Sequence, residues 1–186
     1  YYHEIEGLKD LKNKKICFFH KPFNNYKEKI NFIKKSNFSI LLSSTPKTNK
    51  FQKETNTDTL LFPYGCDDKI FGLNPNKFKK YDIGFSGALH NAINYKGVEF
   101  SSQNLRFRAQ QKICKYFSGK KFMNGSDNIW SRIRSTKKYA SVLQRSKIWL
   151  STTGPMNDMS SRYFEVNGSS SICLTNSIPE EYKKIF

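Results

Sequence analysis

The run WLSTTGPMNDMSSRYFEVNGSSSICLT, Trp149 to Thr175, decides the fold. It opens on a strand-like apolar segment, Ile148 to Leu150, and passes into a polar loop holding Gly154 and Pro155. A short helix is predicted from near Asp158, with Asn157 or Asp158 as its N-cap and Gly168 where it stops. Ile172 to Leu174 then reads as the next strand. Strand, loop, helix and strand in so few residues make a βαβ unit, and such units build parallel sheets that take ligands at the carboxyl ends of their strands. The helix carries the chemistry. Free amides of a first turn attract anions. Ser160 and Ser161 add hydroxyls, and Arg162 and Glu165 are three apart and share a face. Amides and a guanidinium suit phosphate, and a carboxylate suits paired sugar hydroxyls. Taken alone, Arg162 and Glu165 also fit a solvated ion pair worth a few tenths of a kcal/mol.

Working outward, the N-terminal half alternates in the same way. Lys15 to His20 (KICFFH), Phe38 to Leu42 (FSILL) and Thr59 to Phe62 (TLLF) are short apolar runs, expected to be strands buried on both faces. Between them Tyr26, Ile30 and Ile33 recur at helical spacing, and Pro46 suits the start of a second helix reaching about Glu54. The pattern β-α-β-α-β belongs to a parallel, doubly wound sheet. Pro63 to Lys80, with two Pro, two Gly and a pair of Asp, reads as a linker or domain boundary. Tyr81 to Ser86 opens a fresh strand, and Gly87 lets the backbone turn and approach a ligand. His90 to Ser102 reads as an irregular loop. Leu105, Ala109, Ile113 and Phe117 mark one helix, with Arg106 near its start, and Lys121 to Met123 is at most a short strand. Tyr139, Val142 and Leu143 mark another helix, with Ser135 as its cap. Pro179 to Phe186 begins a last one.

The chain has 186 residues, room for one ordinary domain or two small ones. Its formal charge of +17 invites a nucleic-acid reading. However, 26 of its 32 cations are Lys, scattered in ones and twos rather than gathered in a stripe. No nucleic-acid partner is therefore expected, although the surface favours anions. Cys17, Cys66, Cys114 and Cys173 are far apart and no two His have ligand spacing, so no metal site is expected and buried reduced thiols are. No apolar run approaches the ~20 residues that span a bilayer. Peripheral contact with a membrane surface stays open, without a motif behind it. His20 ends the first strand at its ligand-facing edge. There an imidazole either serves as catalytic base or simply closes the strand.

Three stretches in series resemble the GT-B glycosyltransferases with a simplified C-terminal donor domain: LFPYGCDDKIF (Leu61 to Phe71), KKYDIGFSGALH (Lys79 to His90) and SSRYFEVNGSSSICLT (Ser160 to Thr175). The likeness runs from about Lys15 onward. It implies an α/β protein of two Rossmann-like parallel-sheet domains. Residues 1–70 would form an incomplete acceptor-side domain, and residues 71–186 a donor domain that stops early. By the same resemblance Glu165 would hold the ribose hydroxyls of a nucleotide-sugar. Ser160, Ser161 and Arg162 would face its diphosphate, Ser86 and Gly87 would line the cleft, and Arg106 would be a second diphosphate ligand. The family works without metal or other cofactor, the nucleotide-sugar being substrate, because a helix N-terminus and Arg stabilise the leaving diphosphate. The implied reaction is sugar transfer to a glycan or lipid-linked acceptor in surface polysaccharide synthesis. Its implied place is the cytoplasm, with the inner membrane face open as a contact. The chain departs from the family at Asn157, where relatives carry an earlier glutamate, and at Ala88, where they often carry Arg. The competing reading is a nucleotide- or glycan-binding module without catalysis.

Overall fold

Two separate apolar cores organise the chain, one for each of two units. A computed structural model describes residues 5, 7–74, 76–87, 94–95, 98–99, 108–109, 111–113, 115–116, 122–126, 133 and 135–184. The first unit takes in Tyr1–Pro63, Met156–Asp158 and Pro179–Phe186, and the second takes in Tyr64–Pro155 and Met159–Ile178.

In the first unit β1 (Ile16–Phe19), β2 (Ile40–Ser43) and β3 (Asp58–Leu61) form a parallel sheet in that order. Helices α1 (Tyr26–Ser36) and α2 (Thr48–Thr55) make the two crossovers. Crossovers between successive parallel strands are right-handed, so two that step in one direction lie on one face of the sheet. Phe19 and Leu41 from that face meet Ile30, Ile33 and Phe51 from the helices as a buried core. Phe19 and Phe51 pack edge to face with ring centroids 4.9 Å apart. The expectation of strands buried on both faces is therefore corrected. Ile16 is 61% exposed and Phe18 48% on the opposite face, where Phe18, Leu42 and Leu60 share a register row. Asn37 and Asn56 close the helices in left-handed conformations at φ 53° and 54°. Asn tolerates that conformation better than other residues with a Cβ. A short α-helix at Glu180–Lys183 buries Tyr182, whose hydroxyl donates to the carbonyl of Ser44.

The second unit begins with α3 (Asp68–Phe71), capped by Asp67, whose carboxylate accepts from the Lys69 amide at 3.0 Å. Then come β4 (Tyr81–Gly87), a minimal antiparallel pair of β5 (Asn94–Tyr95) and β6 (Val98–Glu99), and β7 (Phe122–Ser126). The chain continues through α4 (Thr136–Gln144), β8 (Ser146–Ser151), α5 (Ser161–Gly168) and β9 (Ile172–Thr175). Ala109 and Ile113 are helical and half-buried, as their spacing predicts, while Leu105 and Phe117 lie outside the described residues. Ser135 caps α4 as expected, accepting from the Lys138 amide. The loop predicted over 90–102 contains the β5–β6 pair, and β7 is longer than expected.

All four strands of the larger sheet are parallel, in the order β7-β4-β8-β9. Phe71, Ala140, Leu143, Trp149 and Val166 form its core. Gly84 on β4 makes room for the fully buried Trp149: a Cβ there would lie 2.3 Å from the indole ring. The architecture is thus α/β, built on two small parallel sheets. Among the described residues no helix is long and apolar enough to cross a membrane.

Candidate functional site

Strand order locates the site. From β4 the chain steps to β7 on one side and then crosses back to β8 on the other. In open α/β sheets such a reversal leaves a crevice at the carboxyl ends of the two diverging strands, and ligands bind there. Here those ends are Gly87 on β4 and Ser151 on β8.

Gly87 stands at φ 126°, a conformation that favours glycine. A Cβ at this position would lie 3.0 Å from Nη1 and 3.3 Å from Nη2 of Arg162, so the guanidinium lies directly over the glycine. Arg162 is the second residue of α5 and half-buried. Its Nε donates to the Tyr139 hydroxyl at 3.2 Å. Tyr139, on α4, is held between Phe71 and Trp149, edge-on to both. Burial pushes its hydroxyl up to about 12; Glu165 adds to the rise, while Arg162 and a hydrogen bond with Ser86 oppose it. Glu165, one turn further along α5, also raises the Cys66 thiol, behind the larger effect of burial. Among the described residues no ion pair joins Arg162 to Glu165 or to another carboxylate.

Two ties set α5 in place. The Thr153 amide donates to Asn176 Oδ1 at 2.9 Å, and Asn176 Nδ2 donates back to Thr153 Oγ1 at 3.1 Å, joining the ends of β8 and β9. The Thr175 hydroxyl donates to the Tyr163 hydroxyl at 2.7 Å, joining β9 to α5. The helix starts later than expected. Its cap is Ser160, not Asn157 or Asp158, and Met156 and Asn157 before it both stand at φ 60°. Ser160 makes no side-chain capping bond, and its Oγ is buried without a partner among the described residues.

Ser86 and Arg162 thus meet Tyr139, Glu165 acts on the same hydroxyl, and Gly87 lies under the guanidinium, while Ser160 and Ser161 open the helix that carries Arg162 and Glu165. Arg106 lies outside the described residues. His20 belongs to the first unit, just past β1, where its ring stacks on Phe18 at 5.9 Å. Partial burial, then the charge of Lys21, holds the imidazole below its ordinary value. Tyr139 and Cys66 escape a reading of the sequence: Tyr139 sits on an apolar helical stripe, and nothing local reveals what its hydroxyl reaches. The expectation of buried thiols is corrected for Cys66, which is exposed, and for Cys17 and Cys173, which are half-buried, while Cys114 lies outside the described residues. Among the described residues no group of three or more His, Cys, Asp or Glu could hold a metal.

A guanidinium with no ion pair to a described carboxylate, beside a helix N-terminus and with a carboxylate one turn away, can bind a phosphoryl group and a pair of hydroxyls together. No protein-family model matches the chain, and no curated protein or solved structure is significantly similar to it.

Proposed function

We propose that the protein is a GT-B-like glycosyltransferase that moves a sugar from a nucleotide-sugar to a glycan or lipid-linked acceptor. In this reading Arg162 and the first turn of α5 take the diphosphate, Glu165 takes the ribose hydroxyls, and Ser86 and Gly87 form the floor. Charge builds on the diphosphate as the glycosidic bond breaks, and a fixed guanidinium stabilises it without reorganising. His20 is the proposed acid–base group for the acceptor hydroxyl. One observation carries the reading: the Arg162 guanidinium, unpaired with any described carboxylate, lies over Gly87 where the strand order reverses.

A second reading, a nucleotide-binding module without transfer, draws on the smallness of the first unit's three-stranded sheet. Both are tested by thermal unfolding with UDP, GDP, ADP and CMP, each at about a hundredfold over its Kd. A true ligand then stabilises by about 2.7 kcal/mol. Arg162→Ala and Glu165→Ala should each remove most of that stabilisation. If no nucleotide raises the melting temperature, or if Arg162→Ala binds as well as the parent, both readings fall. Release of free or transferred sugar from the matching nucleotide-sugar separates the enzyme from the module.

A further inference from the structure

The loop after β1 is held by a buried ammonium group. Lys29, on α1, is 9% exposed. Its Nζ donates to the carbonyl of His20 at 2.7 Å and to that of Lys21 at 2.8 Å. Successive carbonyls of an extended chain point to opposite sides. Here they converge because Lys21 adopts φ 43°, a left-handed conformation that a lysine enters only under constraint. Further hydrogen bonds run from the His20 amide to the Phe18 carbonyl and from the Asn24 amide to the Lys21 carbonyl, both at 3.1 Å. His20 and Lys29 line one cavity of about 200 Å³, walled by Phe18, Phe32 and Ile33. Among the described residues, the charge of Lys21 on the loop acts on the imidazole, and Lys29 on α1 lines the same cavity. Take the ammonium away and two carbonyl dipoles face each other with no positive charge between them, so the loop relaxes toward extended backbone. His20, fixed to the first of those carbonyls, must move with it.

We propose that Lys29 is a positioning residue for His20, setting the place and surroundings of the imidazole through the two carbonyls it holds. The role in catalysis rests on the glycosyltransferase reading; the positioning itself does not. Lys15 supplies an internal control. It is also buried and donates to two backbone carbonyls, those of Leu8 and Lys9, with no histidine on that loop.

The test is NMR on the full chain. In the parent protein the Nζ protons of Lys29 should exchange with water far more slowly than those of exposed lysines. In Lys29→Met the His20 ring should lose the shift imposed by Phe18 and titrate at higher pH, nearer the ordinary histidine value. Lys29→Arg should restore part of both, and Lys15→Met should change neither. Where transfer is measurable, Lys29→Met should lower kcat about a hundredfold, the cost typical of a misplacement near 1 Å, with the donor KM unchanged. A folded Lys29→Met with the parent His20 titration overturns the proposal, as does a Lys15→Met that perturbs His20 equally. Should Lys29→Met not fold, fast exchange of the parent ammonium protons overturns it alone. Absence of any sugar transfer would sink the enzymatic reading while leaving the His20 titration result standing.

Discussion

Gly87→Ala tests the site most directly. The added carbon would sit 3.0, 3.3 and 3.5 Å from Nη1, Nη2 and Cζ of Arg162. Ordinary contact is about 3.5–4.0 Å, so the guanidinium must withdraw by about half an ångström. That alone is cheap, because the obstacle is the tip of a flexible side chain. Its anchor is less forgiving: the Nε bond to Tyr139 is already 3.2 Å long and would break. A hydrogen bond from a charged donor contributes about 1.5–3 kcal/mol. Forcing alanine to φ 126° costs about 1–3 kcal/mol more. Part of each cost relaxes, so a loss of about 2–4 kcal/mol is expected. In a chain of this size that means about 5–15 °C in Tm. Nucleotide affinity should fall about 10- to 100-fold. The assay is chemical unfolding plus calorimetric titration, run as a double-mutant cycle with Arg162→Ala. In the Arg162→Ala background the backbone cost remains and the rest vanishes, giving a coupling of about 1 kcal/mol or more. Strictly additive effects, or a Gly87→Ala protein within about 0.5 kcal/mol of the parent, would refute the contact.

Gly84→Ala drives a methyl into the Trp149 ring from 2.3 Å within the second core, and should cost at least about 2 kcal/mol by denaturant unfolding. Tyr182→Phe strips the hydroxyl that donates to the Ser44 carbonyl, and about 1–2 kcal/mol should be lost on the same measurement. Tyr139 has a further consequence at high pH. Its hydroxyl ionises near its ordinary 10 in the unfolded chain and near 12 in the folded one, so its stabilising share is whole below pH 10. That share drains away as pH rises from 10 to 12, at about 1.4 kcal/mol per pH step. Tyr139→Phe should therefore flatten stability against pH in that window. The remaining slope should fall further with Tyr26→Phe, since burial and the 2.6 Å bond to Glu54 push Tyr26 upward as well.

Much of this protein was written in local pattern. Tyr26, Ile30 and Ile33 on α1, and Tyr139, Val142 and Leu143 on α4, announce helices because their side chains recur at the helical period. Ser135 announces a cap, and Gly87 a turn at a strand end, because each answers to its own backbone. Helix and strand follow from such short-range physics, and so did the alternation that makes both sheets parallel. Position in the fold did not. That α1 and α2 share a face, leaving Ile16 and Phe18 exposed, depends on strand order and crossover hand rather than on the apolar run KICFFH. Gly87 meets Arg162 only because β4 lies beside β8, Tyr139 finds that guanidinium from a different helix, and Lys29 holds carbonyls that no periodicity could assign to it. Those contacts join residues far apart along the chain, and a side chain's own neighbours in sequence carry no trace of a partner that only packing brings near.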